Sequence, residues 1–258
     1  MASKELKIAV SAAKSGGKIL MDFLGKLDGF STKGSAYNLV TQADLNSEKK
    51  IVSVLNKAFP NFGVMAEEGS DSKKDCDNIW IIDPLDGTTN FCHSFPYFCV
   101  SIALKKKNDI VLGVVLDPFK KELFYAEKGK GAFLNGKRIH VSKKLFPESL
   151  LITGFSYERS GIFDLNIENF SAIYKQVHGI RRNGAAALDL CQVACGRFEG
   201  YWEFKLKPWD MGAGQLIVKE AGGKVTNEKG NLWLADNDCI IASNDLIHDD
   251  LIKRLKVL

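Results

Sequence analysis

WIIDPLDGTTNF, residues 80–91, is the stretch from which the rest of the chain can be read. An apolar run, Ile79 to Ile82, drops into Asp83; Pro84, Leu85, Asp86, Gly87, Thr88 and Thr89 follow. Two carboxylates at the mouth of a buried strand repel each other and lose hydration. They must bind a cation, accept backbone amides, or face open water. Pro84-Leu85 reads as the turn that ends the strand.

Working outward, strand signals surround this segment. FGVMA leads into Glu67-Glu68, NIWII leads into Asp83, and FCVSIAL, IVLGVVLD and ELFYAE read as a meander. Asn135-Gly136 predicts a hairpin turn inside FLNGKRIHV. Upstream, Leu6, Ala9, Val10, Ala13, Leu20, Phe23, Leu24 and Leu27 recur at helical spacing, and Gly16-Gly17 lets a neighbour approach. Residues 28–43 read as a loop closing on a short strand; a second helix then starts at Asp44 and ends before Pro60. From about residue 149 the pattern alternates. Strand LLITGF precedes helices near 164–177 and 185–195, then come strand FEGYWEF, a helix at 210–221, strand CIIAS and a last helix at 246–256. Residues 1–148 therefore predict an α+β subdomain and residues 149–258 an α/β subdomain, with no repeat or linker between them.

The bulk numbers exclude several classes. A chain of 258 residues with net charge +4 and interspersed signs has no basic arm of the kind that grips nucleic acid. No apolar stretch is long enough to span a bilayer, and MASKELKIAV lacks a signal-peptide core, so a cytoplasmic protein is expected. The six cysteines form no CxxC pair and are expected to be buried free thiols; the four histidines are isolated, which leaves zinc without support.

Acidic residues recur where strands end and helices begin: Asp44, Glu67-Glu68, Asp83, Asp86 and Asp210. Singly, Asp44 and Asp210 read as helix N-caps, and Asp83 as an Asx-turn. Jointly, two neighbouring strands would set Glu67 beside Asp83, which is costly without a countercharge. Hard oxygen ligands in small number suit Mg²⁺. Gly87 followed by Thr88 and Thr89 exposes amides that bind an anion, particularly phosphate. Carboxylates beside such a cradle predict metal-assisted phosphoryl transfer, and the absence of a GxxxxGK[ST] loop argues against a nucleoside triphosphatase.

With AEEG before it and KPWDMGAGQLIVKEAGG after it, the opening stretch resembles the inositol monophosphatase family of Mg²⁺-dependent, lithium-sensitive sugar phosphatases. NLVTQAD, GKGAFLNGKRIHVS and RRNGAAALDLCQVACGRFEGYWEF extend the likeness over nearly the whole chain. The resemblance implies a five-layer αβαβα sandwich, a homodimer, and two or three Mg²⁺ per active site. It implies that Glu67, Asp83 and the Leu85 carbonyl hold a metal that activates water. Asp83, Asp86 and Asp210 would hold a second metal at the leaving oxygen, and a third, weaker metal would sit near Glu67. By the same likeness Thr88 and Asp44 orient the attacking water, and the amides of Gly87 and Thr88 hold phosphate. Attack would be in line, without a phosphoenzyme.

DGTTNF resembles the inositol-phosphate branch more than those acting on phosphoadenosine phosphates or fructose bisphosphate. Glu203, seven residues before Asp210, matches the family acid that contacts a sugar hydroxyl; Gly184, Ala185 and Ala186 match the segment facing the sugar, to which Asp86 and Asp210 also turn. Lys33 matches a basic loop residue, and Asn38 departs from the family, which commonly has an acid there. Arg181, Arg182, Lys205 and Lys207 form a basic set that is either a solvated rim or, through Arg182, a seat for a second phosphate. The expected substrate is a small phosphorylated polyol or sugar, inositol 1-phosphate first, with fructose 1,6-bisphosphate as the broader alternative. A regulatory binding protein on the same fold is the alternative from another class.

Overall fold

Leu6, Ala9, Ala13 and Leu20 put one face of α1 (Lys4–Phe23) into the core, and the Ser3 hydroxyl caps the helix by accepting from the Leu6 amide at 3.1 Å. The computed structural model describes residues 2–26, 31–32, 39–72, 76–156 and 161–256; Lys33 and Asn38 lie outside them. The helix stops four residues earlier than its apolar spacing predicts, because Gly25 turns the chain at φ +73°.

Two residue pairs, β1 (Ser31–Thr32) and β2 (Leu39–Val40), form a short antiparallel ladder before α2 (Gln42–Ala58). Then come β3 (Gly63–Ala66), β4 (Asn78–Asp86), α3 (Thr88–Cys92), β5 (Cys99–Lys106), β6 (Asp109–Asp117), β7 (Glu122–Glu127), β8 (Ala132–Leu134) and β9 (Lys137–Ile139). Strands β3 to β9 make a seven-stranded sheet in sequence order. The pair β3/β4 is parallel and every later pair antiparallel, so the predicted meander and the Asn135-Gly136 hairpin are both present.

After a 3₁₀ turn at Phe146–Glu148 the second half runs β10 (Leu150–Thr153), α4 (Gly161–Tyr174), β11 (Gly179–Arg181), α5 (Ala186–Ala194), β12 (Gly200–Phe204), α6 (Pro208–Glu220), β13 (Lys224–Thr226), β14 (Cys239–Ser243) and α7 (His248–Arg254). Its sheet has the order β11-β10-β12-β14-β13, parallel around β10 and antiparallel around β14. Strands β11 and β13, each three residues long at opposite edges, escape prediction because so short a run shows no period.

The layers follow from what packs on what. Helices α1 and α2 lie on the outer face of the larger sheet, α5 and α6 between the sheets, and α4 and α7 on the far face of the smaller sheet. Three apolar clusters fill the spaces between layers, giving the αβαβα sandwich. Gly16 makes the first layer tight, since a Cβ there would stand 2.7 Å from Ile51 and Ser47 on α2. All six cysteines are free; Cys99, Cys191 and Cys239 are buried, whereas Cys76, Cys92 and Cys195 are only partly so. No helix among the described residues is long and apolar enough to cross a membrane.

Candidate active site

The parallel register of β3 and β4 pairs Ala66 with Ile82, so Glu67 and Asp83 come next, side by side on neighbouring strands. The Glu67 amide donates to the Ile82 carbonyl at 3.2 Å, which holds that register to the strand end. The turn expected at Pro84-Leu85 is instead a β-bulge. Asp83 faces Ser101 and Asp86 faces Cys99, so β4 carries one extra residue and continues through Asp86. Proline is tolerated here because a bulge needs no ladder donor at that residue. The kink turns both carboxylates the same way along the chain, and both are buried, at 1% and 8% exposure.

Each carboxylate takes a protein donor. Asp83 Oδ1 accepts from the Leu85 amide at 2.9 Å, the Asx-turn geometry expected of it. Asp86 reaches into the second half of the chain: Oδ1 accepts from the Ala186 amide at 3.2 Å, and Oδ2 from the Ala187 amide at 2.7 Å and the Cys99 thiol at 3.6 Å. Ala185 at the N-cap of α5 has no capping side chain, so Asp86 caps that helix across the sheet. Gly87, Thr88 and the first turn of α3 follow. Gly87 has φ +93°, and a Cβ on it would meet the Tyr97 carbonyl at 3.0 Å, so only glycine fits.

Asp44 and Asp210 are not the caps predicted for them. Both occupy the third helical position; Thr41 caps α2, and Lys207 precedes α6. Asp44 Oδ2 accepts from the Thr41 amide at 2.8 Å and its hydroxyl at 2.5 Å, which leaves Oδ1 facing the Thr88 hydroxyl at 3.2 Å. That hydroxyl also stands 3.0 Å from the Leu85 carbonyl. Asp210 Oδ2 accepts from the Lys207 amide at 2.7 Å.

Burial, then the charges of Glu67, Asp86 and Asp210, push the Asp83 carboxyl well above the carboxylate range. Burial lifts Asp86 to about 6 against the pull of the Ala187 amide and Cys99, and burial with Glu67 and Asp86 lifts Asp210 well up. The four predicted acids thus act on one another. Among the described residues, no three Asp, Glu, His or Cys side chains converge as a ready-made cage.

Three residues join the site that pattern reasoning passed over. Asn90 donates to the Tyr97 carbonyl at 2.7 Å and the Asn183 carbonyl at 2.8 Å, tying α3 to the segment before α5. Glu48, one turn after Asp44, accepts from the Glu68 and Ser70 amides at 2.8 and 3.0 Å and so fixes the chain after β3. Gly154 gives the Glu203 carboxylate the space where a Cβ would stand. Tyr201 donates to that carboxylate at 2.5 Å, and burial, opposed by Tyr201 and the Arg182 charge, raises Glu203 to about 7. The basic set divides. Lys205 pairs with Asp238 at 2.9 Å on the surface, Arg181 bonds the Ile180 carbonyl, and Lys207 is exposed; Arg182, beside Gly184, directs its charge at Glu203 and Asp189.

Residues 1–257 match the inositol monophosphatase family. The chain belongs to this family. It is 42% identical over 252 residues to an inositol-1-monophosphatase of Synechocystis, covering 97% of this chain and 88% of that protein. It is 44% identical over 246 residues to a protein named Nus factor SuhB from Pseudomonas aeruginosa, covering 93% and 91%. Among solved structures, the IMPase of Thermotoga maritima superposes with TM-score 0.91 at 38% identity, over 98% of this chain and 97% of the other. SuhB from Bartonella henselae gives 0.94 at 41%, over 98% and 99%.

Proposed function

We propose that this family member is a Mg²⁺-dependent phosphomonoesterase that hydrolyses inositol 1-phosphate or a related small polyol or sugar phosphate to the alcohol and inorganic phosphate. The observation that carries it is the mutual repulsion of Glu67, Asp83, Asp86 and Asp210, beside the Thr88–Asp44 contact and the first turn of α3. Closely set hard-oxygen donors, with Asp83, Asp86 and Asp210 raised by burial and by their acidic neighbours, fit a small divalent cation. Glu67, Asp83, the Leu85 carbonyl, Asp86 and Asp210 would hold two or three Mg²⁺. Bound Mg²⁺ would supply Lewis acidity toward the attacking water and neutralise charge at the phosphate and leaving oxygen.

The chain's own groups then divide the remaining work. Thr88 gives its hydrogen to Asp44, which leaves the hydroxyl oxygen to accept a hydrogen from water and aim it at phosphorus. Amides of Gly87 and Thr88 hold the phosphate oxygens. Glu203 accepts from a sugar hydroxyl, with the backbone of Gly184, Ala185 and Ala186 along the same side and Asp86 and Asp210 behind it. Attack is in line, by water, with no covalent intermediate. The same proposal includes a homodimer, a cytoplasmic location, lithium sensitivity and a subdomain division at 148/149.

Arg182 favours a second reading, a broader sugar phosphatase that seats the distal phosphate of fructose 1,6-bisphosphate. A regulatory role beside catalysis is favoured by relatives named Nus factors. Phosphate release from inositol 1-phosphate, fructose 1,6-bisphosphate and 3′-phosphoadenosine 5′-phosphate, in EDTA and after Mg²⁺ addition, tests the assignment. Mg²⁺-restored turnover, fastest on inositol 1-phosphate, is expected. Arg182→Ala should slow the bisphosphate far more than the monophosphate, and equal losses would remove the distal seat. Turnover indifferent to EDTA would sink the metal-dependent reading.

A further inference from the structure

The outer face of the seven-stranded sheet is only partly covered. Helix α2 lies over β4, and α1 over β5 and β6. A helix with its side chains is about 10 Å wide, room for about two strands. Strands β7, β8 and β9 carry the sheet three strands past α1. An open cavity of about 910 Å³ lies there, floored by Val10 and Met21 of α1 and by Leu123 and Tyr125 of β7. Tyr125 stacks on Phe133 of β8 at 5.3 Å, which extends the apolar floor. The rim is basic: Lys7, Lys14, Lys18 and Lys121 are all exposed, and the described lining residues include no Asp or Glu.

The spacing of those lysines points to the occupant. Lys7, Lys14 and Lys18 stand seven and four residues apart on α1. They fall within about 40° of one another around the helix and span roughly 16 Å along it. A single phosphate or carboxylate head can bridge Lys14 and Lys18, one turn apart, but leaves Lys7, about 10 Å further along the helix, unmet. A second helix laid alongside has the same rise per residue, so acids at the same spacing meet all three. We propose that this groove docks an acidic amphipathic helix of a partner protein, lying along α1 over β7 and β8.

Among the described residues, α4 is a helix of that kind in this chain itself. Helix α4 has Asp164 and Glu168 beside the stripe Phe163, Ile167, Phe170 and Tyr174, with Ile167 and Tyr174 43% and 51% exposed. It lies in the outermost layer on the opposite side from α1, so copies joined this way would meet head to tail and could not form a two-fold pair. The occupant is therefore a different protein.

The intact protein is titrated into a fluorescein-labelled helical peptide of about 18 residues, with leucine on one face and glutamates at the seven-and-four spacing, and into a twin with lysines in their place. The acidic peptide should bind, more weakly as salt rises, and the twin should not. Lys7→Glu/Lys14→Glu/Lys18→Glu should weaken binding at least about tenfold, and Met21→Glu should weaken it in the same direction. For the triple variant, circular dichroism, thermal unfolding and phosphate release should stay at wild-type values, since the three lysines are exposed and lie outside the site. Equal binding of both peptides, or full binding by the triple variant, overturns the proposal. So does anisotropy unmoved by the acidic peptide while phosphatidylglycerol vesicles bind and lose binding in the triple variant. Concentration-dependent self-association abolished by the triple variant would assign the groove to a second copy and overturn it too.

Discussion

Asp83 at the end of β4 and His248 at the start of α7 are both shut away from water, yet their surroundings have opposite chemistry. His248 has a partner for each ring nitrogen: Thr226 Oγ1 at 3.0 Å and Ser243 Oγ at 2.9 Å. Burial and the Lys224 charge hold it neutral, with its pKa down at about 4. Asp83 has one amide donor and three acidic neighbours. One group is finished by the fold; the other is left in a conflict that protonation relieves or, under the proposed function, a bound cation. Buried polar groups that close their hydrogen bonds hold structure, and a buried charge left to repel others marks where chemistry is done.

Asp83→Asn tests the contrast hardest. Turnover should fall at least ~10³-fold, because the substitution removes a carboxylate expected to serve two metals. Stability should move the other way. The folded pKa of Asp83 lies above its ordinary value of 3.8, so the ionisable acid takes stability away as pH rises past that value. In EDTA at pH 8 the asparagine variant should therefore melt above wild type, and the gap should close toward pH 4. A lower melting temperature at pH 8 would make Asp83 a structural acid like any other and erase the comparison.

How much of this was legible depended on sequence distance. Asp83, Asp86, Gly87 and Thr88 lie within six residues, so their joint chemistry shows in one window, and the neighbouring strands that bring up Glu67 are foreseeable from two adjacent apolar runs, though the pattern predicts antiparallel pairing and β3/β4 is parallel. The bulge was not, since Pro84 in a window looks like a turn and only pairing with β5 reveals the strand continuing. The pattern puts the cap at Asp44, three residues past the true cap, because Thr41 sits in a run with no period of its own. Asp86 capping α5 spans 100 residues and leaves no local trace. From sequence His248 is simply isolated; its partner Thr226 lies on β13, too short to predict. The lysines of α1 form a groove rim only beside the bare strands β7 to β9, which lie about a hundred residues away in sequence.

From the structural side, His248→Ala should cost about 2–3 kcal/mol by emptying a buried site and removing one partner each from the Thr226 and Ser243 hydroxyls, with turnover unchanged. The pH sign is opposite to that of Asp83. With the folded pKa depressed to about 4 from 6.5, His248 contributes stability above pH 6.5 that is lost as pH falls toward 4. Urea titrations at pH 7.5 and 5 should show the alanine variant's deficit shrinking at the lower pH. A deficit that does not shrink would mean the imidazole is not what the acid limb reports.

Glu203 falls between these extremes, and its effect should be the smallest. It has one good donor, Tyr201, and a distant arginine, yet burial still raises it to about 7. Under the proposed function it must be ionised to accept from a sugar hydroxyl, so KM for inositol 1-phosphate should fall as pH rises through 7. Glu203→Gln should flatten that dependence, leaving KM raised by about 3- to 10-fold at pH 8 and near wild type at pH 6. Stability again separates the causes. The raised pKa means that Glu203 takes stability away as pH climbs from 4.5 to about 7, so in EDTA the glutamine variant should melt higher than wild type at pH 8 and alike at pH 4.5. A KM that rises equally at both pH values would make the contact a matter of shape, and Glu203 would join His248 among the groups the fold completes by itself.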